Sequence, residues 1–192
     1  AHPLDKELPK QTGYEIFLVH RLDKDTSGLM IAAKTKTAAA KWSKLVASRA
    51  VKKEYDAICI GTFSERQGVI TDDVVQHGEI KRAVTQYAVS EVFEIDCGGE
   101  KLSLSLVRLA LETGRMHQIR AQSAFHGFPL LGDTAYGGSR IDEVRTFFLH
   151  AYEVRIGENP VGLPPVITST LPAAFESFND KILPNWRKWL IL

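Results

Sequence analysis

The chain has little of what would place it in an easily read class. Two cysteines in 192 residues, Cys59 and Cys97, cannot make a disulfide framework. The N-terminus has no apolar signal segment, so both are expected to be reduced thiols of a cytoplasmic protein. No apolar run approaches the roughly 18 residues of a membrane span, and no membrane partner is expected. The six histidines (2, 20, 77, 117, 126 and 150) never recur at the i, i+3 or i, i+4 spacing by which one helix presents two ligands to zinc. No metal is therefore expected. There is neither an internal repeat nor a low-complexity tract, which argues against solenoids and disordered tails. An excess of one charge is also missing: 24 Lys and Arg oppose 23 Asp and Glu, for a net +1.

What is present is the make-up of an ordinary globule, 44% hydrophobic and 24% charged, with a length that fits one domain over 1–192. The near-neutral total hides a segregation. Between His20 and Glu54 stand nine Lys or Arg against three acids, while Glu91, Glu94, Asp96 and Glu100 form an acidic counterpart. A basic segment in a near-neutral chain suits a polyanion met on one face, and equally a solvated helix face.

Residues 1–13, polar and with two prolines, read as an arm or loop. Residues 14–22 and 28–34 read as strands around a charged turn. Trp42, Leu45, Val46 and Arg49 at helical spacing predict a helix over 37–50, with Thr37 as its N-cap. Residues 54–60 form a strand, and a loop containing Gly68 and Gly78 follows. Leu102, Leu104 and Leu106 alternate with Ser103 and Ser105, so 83–93 and 101–112 pair as a long hairpin. A helix starts near Met116 and stops at Gly127. Residues 147–156 are a strand, Leu171-Pro172 opens a last helix to about 182, and "NWRKWLIL" docks on the body. Trp42, Trp186 and Trp189 serve as core or docking residues. The class is α+β with a mostly antiparallel sheet.

Chemistry concentrates in "VHRLDKDTSGLMIAAK" (19–34), where Arg21, Asp23, Lys24 and Asp25 lie between two apolar runs. Asp23 and Asp25 suggest the D-x-D-x-T pattern of aspartyl-phosphate chemistry, with Ser27 in the place of its Thr, but that needs a later acid pair for magnesium. Gly132-Asp133 has Gly137 where its partner should be. Asp25 and Thr26 suit a turn closed by side-chain to backbone bonds, and Gly28 a crowded position. In "GRMHQIR", Arg115 and Arg120 flank His117 and Gln118 at a helix start, a natural anion site. If Arg120 faces Asp23, it holds that carboxylate ionised and oriented.

"HRLDKDTSGLMIAAKT", "KKEYDAICIG", "KRAVTQYAV", "LETGRMHQIRAQ", "HGFPLLGDTAYGG" and "FLHAYEV" together resemble the RNA pseudouridine synthases of the ribosomal large-subunit and tRNA type, over about residues 18–175. The resemblance implies the pseudouridine synthase fold: a long, mixed, mainly antiparallel sheet with flanking helices and a central cleft. It implies isomerisation of an everted uridine in ribosomal or transfer RNA, without a cofactor. Asp23 is then the nucleophile or base, Tyr55 stacks on the base and helps remove its C5 proton, and Arg120 pairs with Asp23. Arg21 enters the RNA stack or holds its backbone, and Leu149 packs on the uracil. Arg115, His117 and Gln118 meet the substrate, while Lys34 and Lys36 meet phosphates. A monomer is expected. The K-P-x-G turn and first strand that usually precede H-R-L-D have no match here, and no accessory RNA-binding domain is seen. Two rivals stand beside this reading: a non-catalytic RNA-binding module of the same fold, and the magnesium-dependent aspartyl-phosphate hydrolase.

Overall fold

The structure, a computed structural model, describes residues 4–76, 78–97, 99–139, 146–157, 162–172 and 175. The chain opens with α1 (Leu4–Thr12), where a loop was expected. Asp5 and Glu7 in its first turn and Lys10 in its last complement the helix dipole. The Thr12 hydroxyl closes the end by donating to the Leu8 carbonyl (2.8 Å). Pro9 removes one donor without breaking the segment.

The two strands expected around the charged turn shrink to stubs. β1 (Phe17–Leu18) and β3 (Ala32–Ala33) pair antiparallel as a small ribbon. Between them β2 (Ser27–Gly28), expected as part of the turn, joins the main sheet. Helix α2 (Lys36–Ala47) follows, capped by Thr35 rather than Thr37: the Thr35 hydroxyl accepts from the Ala38 N–H (3.1 Å). As expected, Trp42 is buried, packed with Val51, Val154 and Ile156.

The main sheet then forms from β4 (Val51–Ile60), β5 (Gln67–Gln76), β6 (Glu79–Cys97) and β7 (Glu100–Leu111). Helix α3 (Gln118–Phe125) crosses over to β8 (Leu149–Ile156) and β9 (Val166–Thr168). Strand order is β2-β8-β4-β7-β6-β5, with β9 also on β8, and among the described residues only β2 pairs parallel. The long hairpin is present. The loop expected before it is largely β5, an edge strand paired with β6 from Gln67↔Ala88 to Gln76↔Glu79.

Both faces of the sheet are apolar, in different halves of the strands. Toward the cleft, Tyr55, Ala57, Val107, Leu109, Leu149 and Ala151 pack under Ile119 of α3 and Leu130. On the back, Ile58, Leu104, Phe148 and Leu131 pack with Phe175. Leu102, Leu104 and Leu106 share that back face, as their alternation implied. The expected C-terminal helix, the docking of "NWRKWLIL", and Trp186 and Trp189 lie outside the described residues. Among the described residues no helix is long and apolar enough to cross a membrane.

Candidate active-site cleft

Asp23 is held by the anchorage of the segment that carries it. Upstream, the His20 Nε2 accepts the Ile31 N–H (2.9 Å). Burial, and secondarily the charge of Lys53, pushes the His20 imidazole down to about 4, so it stays neutral and able to accept. Downstream, the Ser27 hydroxyl bonds His150 Nδ1 (2.8 Å), and β2 lies parallel to β8 at Ser27↔His150 and Gly28↔Ala151. Gly28 has φ +107°, and a Cβ there would fall on the Ala151 carbonyl, so only glycine fits. The turn itself is closed by the Thr26 N–H donating to the Asp23 carbonyl (3.0 Å). The Thr26 hydroxyl is buried without a hydrogen-bond partner among the described residues, so the side-chain bond expected of it is replaced by this backbone one.

Anchored at both ends, the turn presents Asp23 to a cleft of about 610 Å³. The carboxylate is 19% exposed. Its Oδ2 is 3.7 Å from an Arg120 Nη1, and its Oδ1 is 3.8 Å from His117 Nε2. Tyr55 and Leu149 line the same cleft on adjacent strands, with Tyr55 opposite Ala151 across β4 and β8. The register shifts beside Tyr55, Glu54 facing Glu153 and Tyr55 facing Ala151, so Tyr152 is an extra residue on β8. Such bulges re-aim side chains beside sites. Burial first, and then the charge of Asp23, pushes the Tyr55 phenol up to about 12; it is protonated at neutral pH.

Arg120 reaches the cleft from the first turn of α3, whose preceding residue, His117, takes the left-handed conformation (φ 50°). The Arg120 Nε and one Nη donate to the two oxygens of Asp133 (2.6 and 2.9 Å). Its guanidinium lies over the Tyr136 and Phe147 rings, 4.8 and 4.4 Å from their centroids. The bond to Asp133 holds its pKa above the ordinary arginine value against the opposing effect of burial. Asp133, set aside above for want of a second acid, is the residue that sequence reasoning missed. A carboxylate directly after the apolar run "PLLG" was the available signal, since a buried acid needs a partner.

The other expected residues divide. Arg21 and Arg115 line the cleft, Arg115 with its Nε on the Arg82 carbonyl (3.0 Å). His117 also lines it, its Nδ1 3.0 Å from the Tyr136 hydroxyl. Gln118 borders the cleft, but its amide is occupied by the scaffold. It accepts from the Thr113 hydroxyl and the Arg115 N–H, and donates to the Val84 carbonyl and the Thr85 hydroxyl. Its geometry suits holding α3 in place more than meeting RNA. Lys34 and Lys36 do not line the cleft: Lys34 sits over the Tyr14 ring (4.3 Å), and Lys36 is exposed at the start of α2.

An oriented carboxylate between a guanidinium and an imidazole, beside a phenol and an apolar floor, can attack or deprotonate a planar ring or its sugar. Comparison with known proteins bears on which ring. A family model described as RNA pseudouridylate synthase matches residues 3–125, a span that holds Asp23, Tyr55 and Arg120. Ribosomal large subunit pseudouridine synthase D of Vibrio cholerae is 44% identical over 131 residues, covering 63% of this chain and 38% of that protein. The same-named protein of Vibrio parahaemolyticus is 38% identical over 167 residues, covering 75% and 48%. The chain thus spans less than half the length of either curated relative. Among solved structures, human RNA pseudouridylate synthase domain containing 1 superposes with a TM-score of 0.70 at 27% identity, over 88% of this chain and 73% of that one.

Proposed function

The chain belongs to the RNA pseudouridylate synthase family, and from that premise we propose that it converts uridine to pseudouridine in structured ribosomal or transfer RNA. The work falls to a single catalytic domain, acting as a monomer in the cytoplasm and needing no cofactor. The observation that carries this reading is the Asp23 carboxylate, fixed in the cleft 3.7 Å from Arg120, with Tyr55 and Leu149 on the same wall.

The reaction breaks the bond from the ribose C1′ to N1, joins C1′ to C5, and moves a proton from C5 to N1. Nothing is oxidised and no group is donated, so a positioned carboxylate suffices. Asp23 can attack C1′, add to C6 or take a ribose proton. All three routes require it ionised, and Arg120 supports that form. The target must first leave its stack, at a cost of a few kcal/mol. Stacking on Tyr55 returns roughly 1–3 kcal/mol, Leu149 fills the space beneath the ring, and Arg21 at the mouth can occupy the vacated place. The Tyr55 phenol, protonated at neutral pH, can accept the C5 proton only while releasing its own, which makes it a relay.

Tritium release from RNA labelled at uridine C5 tests the reading. The protein should release it, and Asp23→Ala should release none while still binding RNA. Equal release by both would remove Asp23 from the chemistry. Chelator should leave the release untouched; a phosphatase activity that chelator abolishes, with no tritium released, would favour the magnesium-dependent hydrolase instead.

A further inference from the structure

Helix α2 ends in a hydrogen-bonding pattern that favours glycine and holds an arginine. The Arg49 N–H bonds the Val46 carbonyl (3.2 Å), and the Ala50 N–H bonds the Leu45 carbonyl (3.0 Å). These are the two bonds of a Schellman motif with Arg49 in its left-handed position, at φ 63°. Glycine takes that conformation without penalty and other residues do not. The conformation also brings Arg49 to the cleft, whose lining includes it together with Arg21 and Lys53.

Lys53 is the second anomaly. Strand alternation puts it on the same face of β4 as Tyr55, two residues or roughly 7 Å away. Burial draws its ammonium below the ordinary lysine value, and its charge is felt at His20. Among the described residues, no carboxylate lies within 4.0 Å of Arg21, Arg49 or Lys53. By contrast, Arg108 and Arg120 each have an aspartate partner. Of the first three, Arg21 and Arg49 are exposed at the cleft and Lys53 is half-buried; a half-buried ammonium left unpaired beside an apolar floor is costly unless an anion arrives.

We propose that Arg49 and Lys53 form a backbone-phosphate subsite in the cleft wall, which takes the phosphate adjoining the everted nucleotide. This rests on the cleft being an RNA site and adds to it the group that holds the chain entering or leaving that nucleotide. The Tyr55-to-Lys53 spacing is comparable with the reach from a pyrimidine across its ribose to the 5′ phosphate. Such a contact fixes register without reading sequence.

The test is the salt dependence of binding, by fluorescence anisotropy, to a labelled RNA hairpin with uridines in its loop. Arg49→Gly should leave the melting temperature unchanged or raised, because the turn prefers glycine, yet flatten the log K against log salt slope by about 0.7–0.9. Lys53→Met should flatten it by a similar amount, the double variant by about twice that, and Arg49→Lys should keep the parent slope. An unchanged slope in both single variants overturns the subsite. So does a lowered melting temperature of Arg49→Gly with intact binding, the behaviour of a mere helix-end cation. Tritium release read on the same samples separates the two readings. A parent that binds with the expected slopes but releases none would sink the isomerase and leave the subsite standing.

Discussion

Arg120 serves two carboxylates at once, and unequally. Its paired donors are taken by Asp133, 1% exposed, and only the remaining nitrogen faces Asp23 at 3.7 Å. Asp23 is thereby steadied without being bound in a tight two-point pair, and stays free to approach a substrate. The arrangement depends on Asp133 more than on Asp23. Removing one partner of a buried ion pair strands the other, typically at 3–5 kcal/mol. Asp133→Ala should therefore lose about that much stability in urea unfolding, and kcat should fall far more than RNA affinity as Arg120 swings to Asp23. A loss under about 1 kcal/mol would show that Arg120 is held by its rings alone. The sequence points to Asp23, Tyr55, Arg120 and Leu149 because each sits in a recognisable local run. It is silent on Asp133, whose meaning lies in a partner 13 residues away across a helix and a turn.

At the scale of elements, the turn that carries Asp23 is a short span pinned by two histidines. His20 accepts from Ile31, and His150 meets Ser27. Both imidazoles are held below their ordinary pKa, chiefly by burial. For His20 the folded value is about 4 against 6.5 in the unfolded chain. The unfolded chain therefore takes the proton first, and stability present above pH 6.5 is lost as pH falls toward 4. The full shift amounts to on the order of 3 kcal/mol. Urea midpoints across that range should fall less steeply in His20→Gln than in the parent, and the Ile31 amide should lose exchange protection in step. Parallel pH profiles for the two proteins would refute the anchoring role. Element by element, the alternation of Leu102–Leu106 made the long hairpin legible, since one pattern fixes period, face and partner. Strand β5 was not legible: "GVITDDVV" interrupts its apolar residues with two aspartates, which an edge strand tolerates because only one side is paired. Helix α1 buries none of its residues and so offers no apolar stripe to read, and β2 exists only through pairing with β8, more than 120 residues away.

Over the whole molecule, charge is sorted along the sheet. Leu111 at one end of β7 lines the cleft, whereas Lys101 at the other pairs with Asp96 in the acidic hairpin end. Ten residues of strand separate them, roughly 33 Å. Several Debye lengths at physiological salt (about 8 Å) lie between the cations of the cleft and the acids of that tip, so they act on an approaching polyanion as separate surfaces. A net charge of +1 thus says little about RNA affinity. What matters is that Arg21, Arg49, Lys53 and Arg115 open onto one groove. Phosphate contacts from three of them, or from four if Arg21 holds the backbone in place of filling the stack, predict a log–log salt slope of about −2 to −3 for a single-stranded loop, steep for an almost neutral protein. Reversing charge at the far tip, for example Glu94→Lys with Asp96→Lys, should leave that slope and the affinity within about twofold of the parent. If those distant substitutions tightened binding as strongly as Arg49→Gly weakens it, attraction would be reading the total charge. Recognition would then not be confined to the cleft where Asp23 waits.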